Sequence, residues 1–363
     1  MGNSIFIRAG VGLDIGTTTV QAQLVNLDTG EPLDTFSALN DQRSFGADVI
    51  TRIAAARNGK LDELFFVINK QVEGILQYFL NRRKLAVIER CNVTGNTTML
   101  HLFCHADPSS MGESPFTPFF LDERNFAGKE LSLSAEHIKL LPGISAFVGA
   151  DIAAGLAFVE IMEKGEDALF VDIGTNGEIA VWKHRERRLL CCSTAAGSCF
   201  DREETTGARI VDIMAEMKKL EIIDETGALC DDYIRTGYPV PEGFAVTQKD
   251  VRQFQLAKAA IFSGIKVICN TAGILPENIG TSYICGGLGF HVNLENAGDI
   301  GLIPKELIKN ARVCGNTSLL GAVKSLTDST FLPRCREIAA NSTTIDLAND
   351  KAFCDEYTSN MWF

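Results

Sequence analysis

The chain has 363 residues, 46% of them hydrophobic, enough to fill the cores of two domains or of two lobes of one. Its 34 basic and 46 acidic residues leave a formal net charge of −12, which argues against nucleic acid or an anionic membrane as partner. No apolar run approaches the ~20 residues that span a bilayer, and Met1-Gly2-Asn3-Ser4-Ile5 lacks the basic and apolar regions of a secretory signal, so a cytoplasmic setting is expected.

The apolar run Ala9 to Leu13 ends in Asp14-Ile15-Gly16-Thr17-Thr18-Thr19. It reads as a buried strand, with a tight turn at Gly16 and a returning strand over Val20 to Val25. Leu33 to Ala38 reads as a third strand. Asp62 to Arg83 carries Leu64, Val67, Ile68, Val72, Ile75 and Leu76 on one stripe and reads as a long amphipathic helix. Leu85 to Val93 reads as a buried strand ending in Thr94-Gly95-Asn96-Thr97-Thr98. Ala106 to Glu130, rich in Pro, Ser and Phe, reads as irregular, and Gly149 to Glu163 as a helix with Asp151 in its first turn.

The opening pattern then returns. Ala168 to Val171 precedes Asp172-Ile173-Gly174-Thr175-Asn176-Gly177, and a second hairpin runs to Cys192. A helix is expected from Gly207 to Leu220 and a long one from Gln248 to Thr271. On the latter, Gln255, Lys258 and Phe262 share a face. The strand Ile279 to Cys285 ends in Gly286-Gly287-Leu288-Gly289, and a further glycine turn, Val313 to Thr317, precedes another helix. The twofold repeat divides the chain into lobes at 1–165 and 166–363.

A duplicated Asp-x-Gly-Thr turn with a later Gly-Gly suits the clamping of one ATP by two halves of a protein. The backbone N–H groups and threonine hydroxyls of such a turn face phosphate. An aspartate beside a phosphate requires a cation, and Mg²⁺ takes carboxylate, phosphate and water oxygens. Asp14, Gly16, Thr17 and Thr18 are therefore the first phosphate and metal group, with Asp172, Gly174, Thr175 and Asn176 opposite. Asp14 and Asp172 are the metal candidates, through water. Gly286 and Gly287 admit a nucleoside against the main chain, Gln255 and Lys258 reach toward ribose or base, and Gly315 closes the adenosine side. Asp151 is the candidate base, returned by its helix to the second turn. Each also has a plain structural reading: an Asx-stabilised bend, a solvated Gln/Lys pair, an acid stabilising a helix start.

The eleven cysteines include no Cys-x-x-Cys and sit mostly in apolar runs, as expected of reduced thiols in the cytosol of an anaerobe. Cys191, Cys192 and Cys199, around Thr194-Ala195-Ala196-Gly197, leave a redox or iron–sulfur role open. His101 and His105 are four apart on an apolar helix, a setting that favours packing over zinc.

The two turns, the Gly-Gly and the helices between them resemble the actin and sugar-kinase superfamily of ATPases. That resemblance implies an α/β actin-like fold, two ribonuclease H-like lobes around a nucleotide cleft. Gly12 to Val20, Gly95 to Met99, Pro142 to Asp151, Asp172 to Glu178, Gln255-Leu256-Ala257-Lys258, Gly286 to Gly289 and Met361-Trp362-Phe363 resemble the C-terminal domain of reductive activators of corrinoid proteins. The resemblance implies a weak, partner-stimulated ATPase. Its ATP hydrolysis would be coupled to one-electron reduction of a Co(II) corrinoid methyl-carrier protein to Co(I). A homodimer is expected. Relatives usually carry an N-terminal [2Fe–2S] domain. Here no cysteine precedes Cys91, so no iron–sulfur cluster is expected in this chain: either the sequence is a truncated piece of a longer protein, or a separate iron–sulfur reductase supplies the electron. After Thr194-Ala195-Ala196-Gly197 the family's usual Pro-Ala-Phe-Glu-Gly is replaced by Ser198-Cys199-Phe200-Asp201-Arg202, which puts partner and phosphate contacts there in question. Activation of a 2-hydroxyacyl-CoA dehydratase and a nucleotide-gated, non-enzymatic binding module are the competing readings.

Overall fold

Each aspartate-bearing run folds as a hairpin inside its own six-stranded sheet. The computed structural model describes residues 7–200, 205–287 and 292–363. In chain order the first part comprises β1 (Ala9–Ile15), β2 (Thr19–Asn26), β3 (Pro32–Leu39), α1 (Val49–Ala55), α2 (Leu61–Arg83), β4 (Ile88–Gly95), α3 (Thr97–Phe103), β5 (Arg124–Ala127), β6 (Ala135–Leu140) and α4 (Ala150–Phe158). The repeat follows with β7 (Ala168–Ile173), β8 (Asn176–Lys183), β9 (Arg188–Ala195), α5 (Gly207–Lys219), β10 (Tyr238–Pro239), β11 (Ala245–Val246), α6 (Gln248–Ala272), β12 (Thr281–Cys285), α7 (Leu294–Asp299), α8 (Lys305–Ile308) and β13 (Ala311–Gly315). The chain closes with α9 (Thr317–Thr327), α10 (Phe331–Asn341), β14 (Ser342–Thr344) and α11 (Lys351–Ser359).

The first unit takes residues 1–160 and Thr317–Asn341; the second takes Ile161–Asn316 and Ser342–Phe363. This departs from a single division after residue 165, because α9 and α10 cross back to the first unit. α9 does so by packing on β1 and α4, where glycines leave room for it. A side chain on Gly12 would meet the Val323 backbone at 2.8 Å, and one on Gly321 would meet the Ala154 carbonyl at 2.8 Å.

In the first unit the strand order is β3-β2-β1-β4-β6-β5. β1 is antiparallel to β2 and parallel to β4, so it lies inside the sheet and is almost wholly buried. On β2, Val20, Ala22 and Leu24 are buried while Gln21 and Gln23 are less so, the period of two expected of a strand with one covered face. α2 buries Leu64, Ile68, Val72, Ile75, Leu76 and Phe79. Each such side chain contributes about 1.5–3 kcal/mol of burial. β5 lies within the stretch that reads as irregular. It is a four-residue edge strand whose order comes from its pairing with β6, which its sequence does not record.

The second sheet runs β13-β12-β7-β8-β9-β14 and repeats the plan: β7 is antiparallel to β8 and parallel to β12. α6 starts in a capping box, with the Thr247 hydroxyl accepting from Asp250 N and the Asp250 carboxylate accepting from Thr247 N at 2.8 Å. It ends where Gly273 turns left-handed. α4 is shorter than its sequence suggests and stops at Phe158, just before Glu160 takes a positive φ.

Gly321→Val should lower the unfolding midpoint by the equivalent of about 1–3 kcal/mol, because the added methyls have no room against α4. Gly74→Ala, at an open position of α2, should raise stability by up to about 1 kcal/mol. Denaturant titration of both variants checks this; unchanged midpoints would contradict the α4–α9 packing.

Candidate functional site

Asp14 is the penultimate residue of β1, flanked by Gln21 on β2 and Thr94 on β4. The Ser318 hydroxyl of α9 donates to its Oδ1 at 2.9 Å. The turn that follows closes through Gly16 N to Thr19 O at 2.9 Å. Its carbonyls are taken up by the protein. Asn40 Nδ2 donates to Gly16 O at 2.8 Å, Arg52 Nη2 to Thr17 O at 2.6 Å, and Asn40 N to Thr18 O at 2.8 Å. With three successive acceptors engaged, the donor side of the turn dominates its electrostatics, as an anion-binding turn requires. Asn96 fixes the Thr17 side chain by donating to its Oγ1 at 2.9 Å, while its own Oδ1 caps α3 at Met99 N.

Arg52 strengthens that polarity. It is fully buried and makes no ion pair with any described residue. Nε donates to Gly46 O at 3.0 Å and Nη1 contacts the Met99 sulfur at 3.1 Å. Burial pulls its pKa down to about 10, against the opposing pull of Asp48. It therefore stays charged at neutral pH and puts a cation behind the turn. The sequence shows it only as one arginine among Ile50, Ile53 and Ala54, and neither it nor Ser318 is evident before the fold is known.

Asp151 sits in the first turn of α4. Gly149 lets that helix start approach β4: a side chain there would lie 2.7 Å from Asn96 Cα and 2.8 Å from Gly95 O. The result adds a neighbour that the sequence does not show. Asp151 neighbours Asp14 of the first turn. Loss of hydration, and secondarily the Asp14 charge, push its pKa up to about 7. Its Oδ1 accepts from Ile152 N at 2.8 Å, which opposes the rise.

The second turn is one residue tighter. Ile15 pairs with Val20, but Ile173 pairs with Gly177, and Gly174 N reaches Asn176 O at 2.9 Å. Gly197 N donates to Thr175 O at 2.9 Å. Asp172 lies between Glu178 on β8 and Cys285 on β12. Gly286 presses against it: a Cβ there would come within 2.5 Å of Asp172 Oδ1, and its φ of +88° also favours glycine. Gly286 N donates to Gly315 O at 3.0 Å, which joins the two glycine turns. Gly287 is exposed with open space where a side chain would be, leaving its backbone accessible to a flat group. Gly289, Asp201 and Arg202 lie outside the described residues.

Gln255 and Lys258 are differently employed from the expectation of a ribose or base contact. Both are buried. Lys258 Nζ donates to the carbonyls of Asn360 at 2.8 Å and Trp362 at 2.5 Å, and Gln255 Nε2 donates to those of Thr226 at 2.9 Å and Met361 at 2.8 Å. Phe363 stacks on Phe254. The polar face of α6 thus grips residues 360–363, because a buried lysine and glutamine must satisfy their donors and the tail supplies carbonyls. His101 is a packing residue, bonded through Nδ1 to Thr97 O, stacked on Phe120 and lowered by burial to about 4. Cys191 and Cys192 are buried and adjacent on β9, so they face opposite sides of the sheet. Among the described residues no group of three or more His, Cys, Asp or Glu could hold a metal, and no helix is long and apolar enough to cross a membrane.

Two sheets of one plan, each with an acidic turn at the end of an inner strand, define the actin-like, or ASKHA, class of proteins. Residues 9–164 match the family model for the RACo middle region, and residues 201–363 match that for the C-terminal domain of RACo, the ASKHA domain. The chain belongs to this family of reductive activators of corrinoid proteins. It is 29% identical to the corrinoid activation enzyme RamQ of Eubacterium limosum, over 98% of this chain and 70% of that protein. It is 26% identical to a [Co(II) methylated amine-specific corrinoid protein] reductase of Methanosarcina barkeri, over 97% of this chain and 76% of that protein. The solved structure of a reductive activator for a corrinoid, iron–sulfur protein superposes with a TM-score of 0.92 at 27% identity, covering 100% of this chain and 67% of its own.

In the nucleotide-free protein, carboxyl NMR should find Asp151 titrating near pH 7. Asp14→Asn should lower that midpoint while leaving it above the ordinary aspartate range, since burial is the larger cause. The folded state then holds a proton that the unfolded chain has released, so this group's contribution to stability falls as pH rises from about 4 to 7. Asp151→Asn should remove that slope. An ordinary aspartate midpoint in the wild type would contradict the assignment.

Proposed function

We propose that the chain binds Mg-ATP through its two acidic turns and hydrolyses it to drive one-electron reduction of a Co(II) corrinoid protein to Co(I). The observation that carries this reading is the Asp14–Asp151 pair beside a turn whose carbonyls are tied back by Asn40 and Arg52. The relatives' activities support the corrinoid client: one is a corrinoid activation enzyme and another a reductase of a Co(II) corrinoid protein.

The donors at the first turn are carboxylate and hydroxyl oxygens, the ligand type that magnesium takes. Asp14 and, from the second turn, Asp172 would hold the ion through water. Bound there, Mg²⁺ would neutralise phosphate charge. Gly16, Thr17 and Thr18 face phosphate, as do Gly174, Thr175 and Asn176. Gly286, Gly287 and Gly315 are the backbone surface for the nucleoside. Asp151 has the role of general base: a carboxyl raised to about 7 is poised to take a proton from water near neutral pH. An iron–sulfur centre would supply the electron, and the working unit would be a cytoplasmic homodimer.

The test is Mg-ATP hydrolysis by the purified chain with and without a Co(II)-state corrinoid methyl-carrier protein. Hydrolysis should rise when the corrinoid protein is added. Asp151→Asn should retain nucleotide binding and lose about 10²-fold or more in rate. Turnover indifferent to the corrinoid protein would overturn the client assignment, and an unaltered rate in the variant would remove Asp151 from the mechanism.

A further inference from the structure

Cys314 stands apart from the buried thiols. Burial alone pushes Cys91 up to about 12, and burial is the largest cause of the same rise at Cys191, Cys269 and Cys335. Cys314 is only half-buried, and its pKa falls to about 7. The first cause is a hydrogen bond from Cys285, with the Arg312 charge helping against desolvation. The backbone explains why the two sulfurs meet. β12 and β13 are parallel neighbours, Ile284 pairs with Val313, and the register then slips so that Cys285 pairs with Gly315. Cys314 is the bulged residue, and Cys285 faces it across the pair. The slip leaves Cys314 next to Gly315, the register partner of Cys285, and the two thiols are hydrogen-bonded across the strands.

We propose that Cys314 and Cys285 form a redox-active dithiol, Cys314 the attacking sulfur and Cys285 the resolving one, which closes to a disulfide across the ends of β12 and β13 on meeting a peroxide. Accessibility fits these roles: the attacking thiol is the half-exposed one, and the resolving thiol is buried behind it. The Cys314 thiolate attacks one oxygen of hydrogen peroxide. The O–O bond breaks, Cys314 becomes a sulfenic acid, and hydroxide leaves and is protonated to water. The Cys285 sulfur then displaces the sulfenic hydroxyl, a second water leaves, and the S–S bond forms. In sum two thiols and one peroxide give one disulfide and two waters, the sulfurs losing two electrons and the peroxide gaining them. The bond would tie together the strand ends already linked by Gly286 N to Gly315 O.

The test uses the full chain and reads thiols, so it is independent of the nucleotide and corrinoid assignments. The protein is treated anaerobically with one equivalent of hydrogen peroxide, alkylated under denaturing conditions, and its peptides are analysed by mass spectrometry. The expected result is a dithiothreitol-reversible loss of two alkylatable thiols, with a cross-linked peptide joining Cys285 to Cys314. Before oxidation, native alkylation of Cys314 should show a midpoint near pH 7. In Cys285→Ser, Cys314 should instead accumulate as a dimedone-reactive sulfenic acid; if that variant does not fold, the wild-type cross-link decides. Cys285 and Cys314 both fully alkylated after peroxide, or Cys314 paired elsewhere, would overturn the proposal.

Discussion

Two neighbouring carboxylates, one of them withdrawn from water, repel each other, and they remain so placed only if a proton or a cation relieves them. Asp14 and Asp151 are in that position. Asp14 is fixed by the pairing of β1 with β2 and β4 and by Ser318 from α9. Asp151 is brought in because Gly149 lets α4 start almost on the β4 backbone. Without a nucleotide, the proton that Asp151 retains up to about pH 7 provides the relief. A metal ion would replace that proton. The other features of the first turn belong to the same balance, since Arg52 and Asn40 occupy its carbonyls and leave it suited to a phosphate anion.

The second unit solves a similar problem with different residues. Its acidic turn is one residue tighter, and Asp172 is crowded by the glycine that follows the neighbouring parallel strand. Duplication has kept the strand plan and the position of the aspartate while the surroundings diverged. The first turn rests on a buried cation and asparagines. The second rests on Gly286, Gly315 and Gly197. Its long helix α6 spends Gln255 and Lys258 on holding residues 360–363.

The hairpins were legible in the sequence because strand, turn and return strand are contiguous, and their apolar runs and glycines are local signals. α2, α5 and α6 were legible for the same reason. The rest depends on partners far away in the chain. Nothing local says that α9 and α10 return to the first unit; for α9 that follows from glycines at 12 and 321 that make room for it. Arg52 is silent in sequence because its partners, Thr17 O and Gly46 O, are backbone atoms. Asp151 was recognisable as an acid at a helix start, but its neighbour could be known only after β4 and α4 were placed. Gln255 and Lys258 were singled out as polar residues on an apolar helix, and burial gave them carbonyl partners at residues 360–363.

The central claim is that the acidic first turn is a cation-dependent phosphate site. Calorimetric titration with ATP, in magnesium and in excess chelator, tests it most directly on the wild type and Asp14→Ala. The account predicts that magnesium tightens ATP binding to the wild type and that the variant loses this magnesium-dependent part. Equal magnesium dependence in the two proteins would contradict it.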